Sequence, residues 1–157
     1  MKKTLIIGYG NTLRTDDGAG VWIANKIALL DLPGVEVRTC HQLGFELVED
    51  LISFDSVIFV DAAATGEPTS YRFCVPTEVR PLVSEHNVAP DALQIMASEF
   101  FGAKIDMHLF TVRGESFEFG WEISPLVQQR AIDVIDKIGA LLRQSTQTVP
   151  QTDCILG

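Results

Sequence analysis

The block "TLIIGY" at 4–9 is apolar on both faces of an extended chain, as in a strand buried inside a parallel sheet. The period then changes. From about Asp17 the apolar positions Val21, Ala24, Ile27 and Ala28 recur along one face of a helix, and "DLPG" at 31–34 ends it. "VEVRTC" at 35–40 alternates like a second strand, and "FELVEDLIS" at 45–53 has the spacing of a short helix. "SVIFVDA" at 56–62 is again apolar enough to be central.

That β-α-β-α-β order implies right-handed crossovers and a parallel sheet covered on both faces. A strand at "SYRFCV", 70–75, and a loop at 76–89 come next. A helix over 90–101 carries Leu93, Met96, Ala97, Phe100 and Phe101 at helical spacing, and "MHLFTVRG" at 107–114 is a further strand. Ser124 followed by Pro125 suits the cap and first turn of a last helix running to about Arg143. Its stripe is Val127, Ala131, Val134, Ile135, Ile138 and Leu142. The expectation is a single-domain three-layer α/β/α fold over 1–143 with a mostly parallel twisted sheet. The polar stretch 144–157 reads as a flexible C-terminal tail.

A chain of 157 residues suits one domain with a proper core. No apolar run reaches the roughly 18 residues that span a bilayer. "MKKTLIIGYG" superficially resembles a signal peptide, but its apolar part is too short and runs straight into a glycine turn. Membrane insertion is therefore not expected, and the protein is expected in the cytoplasm. The net charge of −9 argues against nucleic acid and anionic membranes as partners. Cys40, Cys74 and Cys154 are unevenly spaced with no CxxC, which is neither a disulfide framework nor a zinc knuckle.

Candidate chemistry begins in "GYGNTLRTDDGAG", 8–20. A dinucleotide-binding turn wants G-x-G-x-x-G, and here Leu13 stands at the third glycine. Asp16 and Asp17 would also repel a phosphate at the helix N-terminus. One of this pair is expected to cap the helix, and Arg14 offers an ordinary surface ion pair. Asp61 lies at the carboxyl end of the third strand. In a sheet of order 2-1-3 it shares an edge with the loop after the first strand. Two carboxylates in a partly dry crevice share a proton or hold a cation. His86, in a polar loop before a helix, is the best third ligand. His41, at the end of the second strand, ranks second, and His108 reads as structural. Two carboxylates and an imidazole suit nickel, zinc, manganese or iron without choosing among them.

These residues resemble the hydrogenase maturation endopeptidases. That family opens roughly with G-x-G-N-x-L-x-x-D-[DE]-G-x-G, matched by Gly8, Gly10, Asn11, Leu13, Asp16, Asp17, Gly18 and Gly20. Its second acidic ligand ends the third strand, on Asp61, and its histidine falls on His86 of "HNVAPDALQIM". "HLFTVRGESFEFGWEIS" is similar to the late strand of the family, so the resemblance covers about 1–143. It implies a cytoplasmic monomer that removes a short C-terminal extension from a nickel-loaded [NiFe] hydrogenase large-subunit precursor. The nickel met by Asp17, Asp61 and His86 would belong to that substrate, with other divalent metals able to substitute. After the second strand the family commonly has Asp-Gly-Gly-Thr. This chain has His41-Gln42-Leu43-Gly44, which makes His41 a candidate replacement for the aspartate in cleavage. No Ser–His–Asp or Cys–His arrangement offers a nucleophile. Two other readings use the same residues: a non-catalytic metal-sensing chaperone of the precursor, and a hydrolase of a small substrate with a closed pocket.

Overall fold

The computed structural model describes residues 2–75, 83–84 and 87–147. Chain order is β1 (Thr4–Tyr9), α1 (Ala19–Ala28), β2 (Val35–Cys40), α2 (Val48–Leu51), β3 (Ser56–Ala63) and β4 (Thr69–Cys74). The short strands β5 (Val83–Ser84) and β6 (Asn87–Val88) follow, then α3 (Pro90–Phe101), β7 (Asp106–Arg113) and α4 (Pro125–Gln147). Five strands form one sheet in the order β2-β1-β3-β7-β4, parallel except for β4, which runs antiparallel to β7 at the edge. β1 and β3 hold the centre because both their faces are apolar. The edge strands β2 and β4 carry exposed polar residues instead.

The two faces of the sheet bury separate cores. Ile6, Ile58, Val60, Phe110 and Val112 pack beneath α1 and α4, against Ile23, Ile27, Val127, Val134 and Ile138. Leu5, Ile7, Val57, Phe59 and Met107 face α2 and α3, against Leu51, Leu93 and Ala97. This is the expected three-layer α/β/α arrangement, and its period-two alternation decides which strand-end side chains can meet.

The glycines of the opening motif serve close packing. A Cβ on Gly20 would collide with the Val60 carbonyl, and one on Gly8 with Gly20 itself and Ala24, so α1 lies directly against β1 and β3. Gly10 has φ 144°, and a Cβ there would meet the Asp17 carbonyl. At the far end of the helical layer, Pro90 opens α3 after the extended Ala89, and left-handed Gly102 closes it.

Several details differ from the sequence reading. A 3-10 turn at Thr15–Gly18 precedes α1, and the buried face of α1 runs through Ala19, Ile23, Ala24 and Ile27, leaving Ala28 exposed. The 45–53 segment divides into a 3-10 turn at Phe45–Leu47 and the single turn of α2. In α3, Phe100 and Phe101 point to solvent. The buried positions of that helix are Pro90, Asp91, Ala92, Leu93, Gln94 and Ala97, all before its last turn. Helix α4 continues to Gln147.

Candidate active site

A cleft of about 650 Å³ opens at the carboxyl edge of the parallel strands, lined among others by Tyr9, Asp17, His41, Asp61, Arg72 and Pro90. Each side chain arrives by a different route. Tyr9 ends β1 and Asp61 nears the end of β3. Both continue the odd-numbered alternation of Leu5-Ile7 and Val57-Phe59, and so face α3. Arg72 pairs with Leu109 of β7, another odd position, and shares that face. His41 follows β2 directly, and Asp17 comes from the 3-10 turn after β1.

Asp17 and Asp61 hold different environments. The Asp17 Oδ2 accepts the backbone N–H of Asn11 at 2.7 Å, while Oδ1 has no hydrogen-bond partner among the described residues. The Asp61 Oδ1 accepts the N–H of Ala62 at 2.8 Å. Burial pushes the Asp61 carboxyl up to about 7. The Ala62 N–H opposes that rise, the nearby charge of Asp17 adds to it, and a hydrogen bond with the Tyr9 hydroxyl opposes it. Burial, followed by the neighbouring Asp61, pushes the Tyr9 phenol well above its ordinary value, so Tyr9 stays protonated and donates. The result is a carboxylate pair of which one member is poised between charged and neutral forms near pH 7, a common property of sites that exchange protons or take up a cation.

Arg72 sits at the cleft wall with its two terminal nitrogens on the two oxygens of Asp91, both at 2.7 Å. The guanidinium holds the Asp91 carboxyl below the usual carboxylate range. This bidentate pair ties edge strand β4 to the first turn of α3.

Asp16 has a different part from the one the motif suggested. It is completely buried and accepts the N–H groups of Glu115, Ser116 and Ser124 and the Ser124 hydroxyl, at 2.7–2.9 Å. Burial opposes its ionisation, but these bonds together lower its carboxyl below the ordinary range. No side chain caps α1, whose N-cap is Gly18. Arg14 makes no ion pair with either aspartate, its Nε donating instead to the Phe117 carbonyl at 3.1 Å. The paired carboxylates thus divide between a structural anchor, Asp16, and a cleft residue, Asp17.

The expected ligand His86 lies outside the described residues, although Val88, Ala89 and Pro90 just beyond it line the cleft. Among the described residues no group of three or more His, Cys, Asp or Glu side chains is arranged to hold a metal ion. His108 is buried, its Nδ1 bonded to the Tyr71 hydroxyl at 2.8 Å, and burial lowers its pKa. Cys40 and Cys74 are free thiols, half-buried and buried, and Cys154 lies outside the described residues.

Tyr9 and Arg72 are cleft residues that the residue pattern did not single out. Tyr9 was within reach, since period two places it beside Asp61 once strand order is known. Arg72 was not, because its place depends on the antiparallel register of β4 against β7.

No protein-family model matches the sequence, and no curated protein does. Solved structures match it over most of its length. The [NiFe] hydrogenase maturation protease HycI from Thermococcus kodakarensis KOD1 is 26% identical with a TM-score of 0.71, covering 90% of this chain and 93% of that one. Further solved structures that this chain resembles are also named as hydrogenase maturation proteases or endopeptidases. The maturating endopeptidase HybD from E. coli is 25% identical with a TM-score of 0.70, over 91% of this chain and 93% of its own. An Escherichia coli endopeptidase known from its solution structure is 28% identical with a TM-score of 0.67, over 91% and 93%. The maturation-protease likeness therefore covers about nine tenths of this chain. No helix among the described residues is long and apolar enough to cross a membrane.

Proposed function

We propose that this protein is an endopeptidase that removes the C-terminal extension of a nickel-loaded [NiFe] hydrogenase large-subunit precursor, acting in the cytoplasm as a monomer. The observation that carries the reading is the pairing of Asp17 with Asp61 in an open cleft of a maturation-protease fold. The free Oδ1 of Asp17 and the carboxylate of Asp61 supply two oxygen donors to a cation that arrives with the substrate. His86 supplies the third. Nickel is then cargo of the precursor, and other divalent metals could take its place at these donors.

The other cleft residues fit a peptide-cutting role. Tyr9 donates to Asp61 and steadies its orientation. Cation approach favours the charged form of Asp61, so engagement of the metal releases the proton that burial retains. His41 lines the same cleft, and its imidazole is assigned the role of accepting a proton from water attacking the scissile carbonyl. An open cleft admits an extended peptide, which favours a protein substrate over a small enclosed one.

The test is mass spectrometry of a large-subunit precursor incubated with this protein, with and without nickel loading. Loss of a short C-terminal peptide from the nickel-loaded form alone is expected. Binding without shortening would replace the endopeptidase by a metal-sensing chaperone, and shortening regardless of nickel would remove the metal from recognition.

A further inference from the structure

Beside the cleft, the loop between β7 and α4 presents apolar surface to water. Phe119 is 80% exposed and Trp121 72%, their rings meeting edge to face with centroids 6.5 Å apart. Leu13, 52% exposed, stands next to them on the loop after β1 and shares a recess with Phe117 and Phe119. This display is held firmly. Thr15 N–H donates to the Gly120 carbonyl at 2.7 Å, Gly120 N–H to Leu13 at 2.8 Å and the Thr15 hydroxyl to Glu118 at 2.6 Å. The Asp16 carboxylate fixes both ends of the loop, through Glu115, Ser116 and Ser124. Thr15 adopts φ 49°, a left-handed conformation costly for a β-branched residue, to complete these bonds.

The protein's own fold gains nothing from holding aromatic rings in water. Rigid exposed aromatics suit a partner, because their ordering entropy is lost before binding. Charge narrows the choice. Glu118 and Glu122 flank the rings, exposed and without ion partners among the described residues, while Arg14 nearby is occupied by the Phe117 carbonyl. A second copy would set these glutamates against each other in a chain of net charge −9. The patch also adjoins the cleft: Asn11 lines the same recess and donates its N–H to Asp17.

We infer that Leu13, Phe119 and Trp121 form a docking platform for the folded body of the protein substrate, which meets it with an apolar patch rimmed by lysine or arginine. This rests on the endopeptidase reading above for the identity of the substrate. The body seats on the platform while its C-terminal segment enters the cleft next to it.

The test uses the full chain with Trp22→Phe, which leaves Trp121 as the single tryptophan, titrated with nickel-loaded large-subunit precursors of the source organism. A blue shift of Trp121 emission is expected on binding. Phe119→Ala/Trp121→Ala, read by calorimetry and checked for unchanged unfolding, is expected to weaken precursor binding at least tenfold and to raise KM with kcat nearly unchanged. Glu118→Lys/Glu122→Lys is expected to weaken binding and flatten its salt dependence. Cleavage with an unaltered KM by the double alanine variant would overturn the platform and leave the endopeptidase intact. Aromatic-dependent binding without cleavage would do the reverse. A concentration-dependent blue shift without precursor would make the occupant a second copy, and failure of every precursor to bind would overturn both.

Discussion

The Ser124 hydroxyl donates to the Asp16 carboxylate at 2.7 Å across 108 residues of chain. With three backbone N–H groups on the same carboxylate, this bond joins the loop after β1 to the start of α4. The motif aspartate beside the cleft is thus a buried anchor for the aromatic loop.

Asp16→Ala leaves those donors buried without an acceptor, and is expected to cost on the order of 3 kcal/mol in urea unfolding. Because the folded Asp16 carboxyl is depressed, its contribution is fully present above the unfolded value near 3.9. It disappears as pH falls through the lower folded value. Wild type should therefore lose stability below about pH 4 more steeply than Asp16→Asn. Parallel acid limbs would remove the anchor role.

Asp61 has the opposite sign. Its folded carboxyl is raised to about 7, so the native state holds a proton that the unfolded chain has released. Its contribution to stability falls as pH rises from about 4 to about 7 and stays low above that. Asp61→Asn keeps a neutral, hydrogen-bonding side chain, and at pH 8 should be more stable than wild type by on the order of 2 kcal/mol. The same variant should leave precursor unprocessed. Denaturation at pH 5 and pH 8 checks the first statement, since the gap must widen with pH.

Arg72→Ala leaves the Asp91 carboxylate, 10% exposed in its side chain, without its bidentate partner. A loss of about 2–3 kcal/mol is expected, with hydrogen exchange rising first in the initial turn of α3. Arg72→Lys should recover only part of it, because an ammonium cannot fork onto both oxygens. Equal stability of the lysine variant and wild type would count against a bidentate role.

Asp17→Asn and His41→Gln should separate recognition from cleavage. Asp17→Asn removes a charged donor to the cation and is expected to weaken binding of nickel-loaded precursor by tenfold or more. His41→Gln should bind normally and cut at least a hundredfold more slowly, measured in single turnover. Normal cutting by His41→Gln would reduce this histidine to a cleft wall.

Much of this was legible from residue order alone. β1 and β3 announced themselves through apolar residues on both faces, and that doubly buried pattern placed them in the sheet interior with Asp61 at its carboxyl edge. The opening motif likewise identified the loop that carries Asp17. The family resemblance picked Asp17 over its neighbour Asp16, but the pattern of residues alone did not. Helical phase misled at Ala28, Phe100 and Phe101, which are exposed, because periodicity reports a possible face and not which of its positions are covered.

The sequence by itself determined the order of the main elements, the parallel core strands and the loop and strand end that carry Asp17 and Asp61, since these depend on local period and residue type. Tertiary structure alone decided what they do. Asp16 and Asp17 differ in role because hydrogen-bond donors more than 98 residues away surround one and not the other. The rise of Asp61 to about 7 follows from burial that only the packed sheet and its covering helix create. Arg72 reaches the cleft through an antiparallel pairing that its own strand does not encode. Burial and long-range donors are properties of the assembled fold, and a side chain's charge state follows them.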